Sequence, residues 1–350
     1  MKLFTVGPVQ MYDNTLKIGG QQTPYFRCQE FSDVMLRCQD NLLKLLNTDT
    51  SQFKAVFLTA SGTAAMEAAI CAVPKDKKVI IINGGTFGTR FVEICNLHGI
   101  EYIEVKVNSD EDLSVEHLNK IDTTDCFALV VNIHETSIGK LYDKELIKDF
   151  CKKNNLHLIC DAISSFLADP YSLDSFPADI TIISSQKGMA LPAGIAILVI
   201  KNDYYENYIK DSKSTSYYLD LNAHSINMKR GQTPYTPAIT IIHQLDDRLT
   251  QLLNTGIDNE LKHREELASY FRANLPANYT IPNYSLSNCL TPVICTKNNA
   301  KLIYEELKNN HNIFVNPCGG QNADRIIRIG HIGNLNKDDF DELIKLLGGF

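Results

Sequence analysis

Seven short apolar runs in the first two hundred residues constrain this chain more than anything else in it: VFLTA (56–60), VIII (79–82), EYIEVKV (101–107), FALVVNIH (127–134), HLICDA (157–162), DITIISS (179–185) and IAILVI (195–200). Most are continuous and β-branched, where a strand with one wet face would alternate, so they suit strands covered on both faces. Helical patterns separate many of them: TAAMEAAICAV after the first, GTRFVEICNLHG after the second, KELIKDFCKKNN before the fifth. Alternation of this kind predicts a doubly wound α/β domain around a mostly parallel sheet. Only a short loop separates DITIISS from IAILVI, too short for a helical crossover, so one antiparallel neighbour is expected.

Past about residue 245 the pattern changes. ITIIHQLDDRLTQLLNTGIDNELKHREELASYFRANL (239–275) reads as one extended amphipathic helix or two joined ones. Strand candidates follow at 290–296, 313–317 and 326–332, and DDFDELIKLLGGF closes the chain as a helix. The reading is an N-terminal segment (1–20), a large domain (21–245) and a smaller C-terminal α+β domain (246–350), divided along a helix. The 350 residues are 44% hydrophobic and 21% charged, enough for a real core. A net charge of −7 argues against a nucleic-acid groove. With no apolar run of bilayer length and no signal-like h-region in MKLFTVGPVQ, a cytoplasmic enzyme is expected. Ten cysteines form no CxxC pair and no Cys/His ligand spacing, so reduced, mostly buried thiols are expected and no metal.

In an open α/β sheet, ligands bind beyond the carboxyl ends of the strands. Ser61-Gly62-Thr63 follows the first run and opens a helix; alone it reads first as an ordinary cap, and otherwise as a phosphate turn. Phe87 sits between glycines in NGGTFG (83–88), an aromatic for a planar ligand or for the core. His134-Glu135-Thr136-Ser137 ends the fourth run in polar residues. Asp161 leaves an apolar strand, either as a helix cap or as a buried carboxylate that needs a cationic or N–H partner. Lys187 follows DITIISS. Together these place a phosphate cradle, an aromatic, a carboxylate and a lysine on one edge, which suits pyridoxal 5'-phosphate.

At these residues the chain resembles the class V, fold-type I pyridoxal-phosphate aminotransferases, of the alanine–glyoxylate, serine–pyruvate and 2-aminoethylphosphonate–pyruvate kinds. The resemblance rests on nine motifs in order: TVGP, RCQEF, ASGTAAMEAA, NGGTFGTR, HETSIG, CDAISSF, SSQKGMALPAG, TPYTPAI and RIGHIG. It implies a seven-stranded sheet in the large domain and a homodimer. It also implies that Lys187 bonds to the cofactor and moves the substrate's α-proton, while Asp161 holds the pyridine nitrogen. Phe87 would stack on the ring, Ser61, Gly62, Thr63 and Gln186 would hold the phosphate, Thr136 would contact the region of the cofactor's phenolic oxygen, and Ile163 would also bind the cofactor. Thr236, with Thr233 as its companion, would reach the phosphate from the other subunit. Arg328 would clamp the substrate carboxylate, with Gly7, Pro8 and Val9 nearby. The implied reaction passes an amino group from a small donor to pyruvate or glyoxylate in two stages, with donor and acceptor left open.

Two features pull elsewhere. Cysteine desulfurases share the fold and use a loop thiol, which draws attention to Cys318 in NPCGG; yet Gln186 stands where those enzymes carry histidine. Leu167 replaces a glycine common after SSF in the aminophosphonate branch, and a phosphonate donor would want extra cations, for which Arg27 and Arg90 are the candidates. A non-catalytic scaffold is disfavoured by the intact Lys187, Asp161 and Arg328.

Overall fold

A computed structural model describes residues 1–297 and 299–350. The strands in chain order are β1 (Lys2–Phe4), β2 (Phe53–Ala60), β3 (Lys78–Asn83), β4 (Glu101–Lys106), β5 (Cys126–Asn132), β6 (His134–Glu135), β7 (Lys140–Leu141), β8 (His157–Asp161), β9 (Ile180–Ser184), β10 (Gly194–Lys201), β11 (Tyr279–Thr280), β12 (Leu290–Cys295), β13 (Ile313–Pro317) and β14 (Ile326–Gly330).

Seven of them form one sheet in the order β2-β10-β9-β8-β5-β3-β4. All neighbours run parallel except β10, which is antiparallel to both β2 and β9. This is the single reversal expected from the short DITIISS–IAILVI loop. The continuous apolar runs are explained by what lies on each face. Ile80, Ile82, Leu129 and Val131 face one core with helices Gln29–Leu45 and Ile239–Thr255. Val79, Ile81, Ala128 and Val130 face another with helices Gly62–Cys71 and Thr86–His98. Neither face of the central strands meets water, so nothing favours alternation there.

A second sheet, β1-β13-β14-β12-β11, carries the smaller unit. It packs on helices Ile257–Ala273, Ala300–His311 and Lys337–Leu347 around Phe4, Phe271, Ile303, Ile327 and Phe340. The N-terminus contributes an edge strand, Lys2–Phe4 pairing parallel to β13, before the chain turns toward the large sheet. The long segment over 239–275 is two helices, broken at Gly256, whose φ of +85° few other residues adopt. All ten cysteines are free thiols. No helix among the described residues is long and apolar enough to cross a membrane, and no three His, Cys, Asp or Glu side chains cluster as a metal site.

Candidate active site

β2, β5, β8 and β9 are parallel, so the residues after each of them emerge on the same edge. Ser61, Gly62, Thr63, Phe87, His134, Thr136, Asp161, Ile163, Gln186 and Lys187 line one cavity there, together with Met66, Arg90 and Ser164.

Ser61 is the N-cap of helix Gly62–Cys71, but its hydroxyl makes no capping bond. The side chain is therefore not spent on an ordinary cap, and the helix N-terminus keeps the backbone N–H groups and partial positive charge that suit an anion. Gly62 sits close against Ile163: a Cβ there would lie 2.4 Å from Ile163 Cδ1, and that side chain would have to shift. The Thr63 hydroxyl accepts a bond of 3.1 Å from Arg90 Nη1, and the same guanidinium lies 4.8 Å from the centre of the Phe87 ring.

Phe87 is held by a residue that sequence reasoning left without a role. Glu135 is fully buried and accepts from Phe87 N–H (3.2 Å) and Gly88 N–H (3.1 Å), the first turn of helix Thr86–His98. Its carboxylate also accepts from Ser137 N–H, the Ser137 hydroxyl and Asn132 Nδ2 (2.9 Å). A carboxylate at a helix N-terminus, bonded on both oxygens, pins the turn that carries the aromatic ring. The signal was present in the polar run HETS, though the run alone does not say which residue faces which neighbour.

Asp161 stands at the carboxyl end of β8 with 6% of its surface accessible. Burial raises its pKa to about 7, while the 2.7 Å bond from Ile163 N–H to Oδ1 and the charges of Lys187 and Arg90 work the other way. Lys187 follows β9, and burial pushes its amine down, opposed by Cys289 and Asp161. The backbone closes tightly around it. A Cβ on Gly7, at φ +142°, would stand 3.0 Å from Lys187 Nζ, and one on Gly188 would lie 2.3 Å from the Phe166 carbonyl oxygen. The N-terminal segment thus reaches the lysine through Gly7. Val9 is buried beyond it and Pro8 is exposed.

Thr136 shares a 2.6 Å bond with Ser164 through their hydroxyls. Arg328, on β14 of the small sheet, donates to the Thr136 carbonyl (3.1 Å) and the Pro317 carbonyl (3.0 Å), while its buried Nε has no partner among the described residues. It therefore spans from the small unit to the edge of the cavity. Thr233 and Thr236 are not brought to this cavity within the chain. Thr233 bonds the Tyr235 carbonyl (2.6 Å), and Thr236 is exposed. Arg27 serves that same loop, donating to Gln232 and to the Thr233 carbonyl. Cys318 lies beside Arg328, but burial raises its pKa, the reverse of what activates a nucleophilic thiol. Leu167 adopts φ +64°, the left-handed region that favours glycine, so a leucine occupies a glycine's backbone position.

The fold and this edge define a pyridoxal-phosphate enzyme of fold-type I: amine, carboxylate, aromatic ring and helix N-terminus meet at the strand ends. The family model for class-V aminotransferases matches residues 19–327, and the chain belongs to that family. An uncharacterized aminotransferase of Methanocaldococcus jannaschii is 30% identical over 344 residues, covering 95% of this chain and 87% of that protein. The L-aspartate–glyoxylate aminotransferase of Paracoccus denitrificans is 26% identical over 353 residues, covering 95% and 86%. The crystal structure of an alanine–glyoxylate aminotransferase from Nostoc sp. superposes with a TM-score of 0.90 at 24% identity, over 99% of this chain and 94% of that one, and shares the fold. The protein is an aminotransferase whose cofactor is pyridoxal phosphate.

Proposed function

We propose that this enzyme moves an amino group from a small donor, of the alanine, serine or 2-aminoethylphosphonate type, to glyoxylate or pyruvate in a two-stage exchange. The observation that carries the reading is the meeting of Lys187 and Asp161 with the open helix N-terminus at Ser61 in one cavity. The relative named for glyoxylate chemistry supports the acceptor class. When bound, pyridoxal phosphate supplies an electron sink for the pair left behind as the substrate's α-proton departs.

The chain's own groups do the rest. Desolvation lowers the proton affinity of Lys187 Nζ, so more of the amine is free to form the covalent link and then to carry the α-proton. Asp161 would hold the pyridine nitrogen, whose positive charge when protonated would favour the ionised carboxylate. Ser61, Gly62, Thr63 and Gln186 would hold the phosphate, Phe87 would stack on the ring, Thr136 would contact the region of the phenolic oxygen, and Ile163 would also contact the cofactor. Arg328 offers a planar fork to the substrate carboxylate. Gly7 and Pro8 bring the N-terminal segment (1–20) over the lysine, at the junction of the large domain (21–245) and the small one (246–350). Thr236, with Thr233 as its companion, would reach the phosphate site of a second copy, so the working form would be a homodimer, and we place it in the cytoplasm.

Lys187→Ala is expected to abolish the absorption band of lysine-linked cofactor and to remove turnover; an active Lys187→Ala protein would refute the assignment. Initial rates at several fixed glyoxylate concentrations should give parallel double-reciprocal lines. A panel of alanine, serine, aspartate and 2-aminoethylphosphonate, each tested for conversion of the bound cofactor to its amino form, identifies the donor.

A further inference from the structure

Two buried arginines share one carboxylate at the joint between the helices Ile239–Thr255 and Ile257–Ala273. Arg248 is 4% exposed and Arg264 1%. Glu260 pairs with both, its Oε1 lying 3.1 Å from Arg248 Nη2 and 3.0 Å from Arg264 Nε. Tyr12, from the N-terminal segment, adds a hydroxyl and no carboxylate: it accepts from Arg264 Nη2 (2.7 Å) and Arg248 Nη2 (3.3 Å). Among the described residues no other carboxylate lies within 4.0 Å of either guanidinium. Asp247, next to Arg248 in sequence, accepts instead from Asn14 Nδ2 (2.6 Å) and Gln251 Nε2 (2.7 Å).

Burial works against the charge of Glu260, but the two guanidiniums outweigh it and hold the carboxyl below its usual range. Glu260 is therefore ionised and offsets one arginine only. A buried charge left without a counter-charge is costly, so the cluster is one anion short. The shortfall sits with Arg248. Arg264 spends its donors on Glu260, Tyr12 and the His331 carbonyl (3.2 Å). Of the five N–H donors of a guanidinium, Arg248 directs only those of Nη2 at Tyr12 and Glu260. Its Nε has no partner among the described residues, and its guanidinium carbon lies 4.3 Å from the centre of the Tyr12 ring.

Arg248 and Glu260 line an open cavity of about 540 Å³, with Tyr12, Gln251, Asn259 and His263 among its other walls. It shares no residue with the cavity of Lys187 and Asp161. We infer that this cavity is a second binding site, taking a small oxyanion, a phosphate or a carboxylate, whose charge answers Arg248. The inference goes beyond the amino-transfer reading and does not depend on it. The site lies where the N-terminal segment, the two helices and the loop at Gly333–Leu335 meet, and Asn334 N–H bonds the Gln10 carbonyl there (2.7 Å). The same segment carries Gly7 to Lys187, so an anion held at Arg248 braces the strand of chain that covers the catalytic lysine.

The test is calorimetric titration of purified holoenzyme with inorganic phosphate and, separately, malonate, each against chloride at matched ionic strength. Wild type should bind at least one of the two with a dissociation constant on the order of 0.1–1 mM, and the one that binds identifies the anion's class. Arg248→Met removes the cation. Gln251→Glu keeps it but places a carboxylate one helical turn away, which answers the charge from within the chain. Each should weaken the binding by about tenfold or more. If Arg248→Met does not fold, Gln251→Glu decides alone. Wild-type heats that match chloride for both anions would overturn the inference. So would binding that the substitutions leave unchanged, which for malonate would place it at Arg328 in the catalytic cavity.

Discussion

At the scale of single residues, the site is shaped by groups held against their usual preferences. Asp161 keeps its proton up to about pH 7 in the fold, because burial penalises the charge, whereas an exposed aspartate loses it near 4 (about 3.9). Between those values the folded state holds more protons than the unfolded chain, so this group's contribution to stability falls as pH rises. In cofactor-free protein, urea unfolding of Asp161→Asn should therefore improve relative to wild type as pH rises from about 4 to about 7, by an amount on the order of a few kcal/mol. His134 titrates in the opposite sense but is common to both proteins and cancels in the difference. A gap that stays constant across that range would contradict the assignment of a raised Asp161 pKa. Leu167 is a second residue against type. Its φ of +64° costs a side-chain-bearing residue about 1–2 kcal/mol, yet the leucine is 1% exposed and packed in the main core, which offsets that strain.

At the scale of elements, the helix Thr86–His98 shows how a polar residue far away in sequence fixes the turn that carries Phe87. Gly85 precedes the helix without a side-chain cap of its own, and a Cβ there would lie 2.7 Å from Glu135 Cδ. The cap comes from Glu135, 48 residues past Phe87. In Glu135→Gln one carboxylate oxygen becomes an amide NH2 facing N–H donors. Destabilisation of about 1–3 kcal/mol is expected by chemical denaturation, with weaker pyridoxal phosphate binding as the Phe87 turn loosens. Unaltered stability would show that the five donors around this carboxylate do not need its charge. The two-helix segment over 239–275 illustrates the limit of periodicity. Its apolar spacing runs through the junction, so only the backbone at Gly256, held at φ +85°, shows that the helix breaks there.

At the scale of the whole molecule, polar groups tie the two sheets together near the cavity. Asp169, on the large unit, accepts from Asn288 N–H (2.8 Å) and from the Ser287 hydroxyl, while Arg272 donates to the Ser287 and Leu290 carbonyls and to Thr291 Oγ1 (2.9 Å). A separate cluster joins Tyr12 of the N-terminal segment to Arg248, Glu260 and Arg264 on the two helices of 239–275. Asp169→Ala leaves a buried hydroxyl and N–H unpaired and should cost about 2–3 kcal/mol in urea unfolding, with faster protease cleavage around 283–289. An unchanged cleavage rate would mean that the apolar contacts of Val6, Val9 and Ile332 hold the units together without it. Much of this protein was legible in its sequence. The continuous apolar runs mark strands covered on both faces, the short loop before Gly194 marks the one reversed strand, and the residues after each strand mark the edge where chemistry gathers. Those are local signals, written by backbone periodicity and by the cost of burying polar groups. The strand order, Glu135 beneath Phe87 and Gly7 against Lys187 depend on pairs distant in the chain. Only packing brings such pairs together, and a single sequence carries no measure of distance between them.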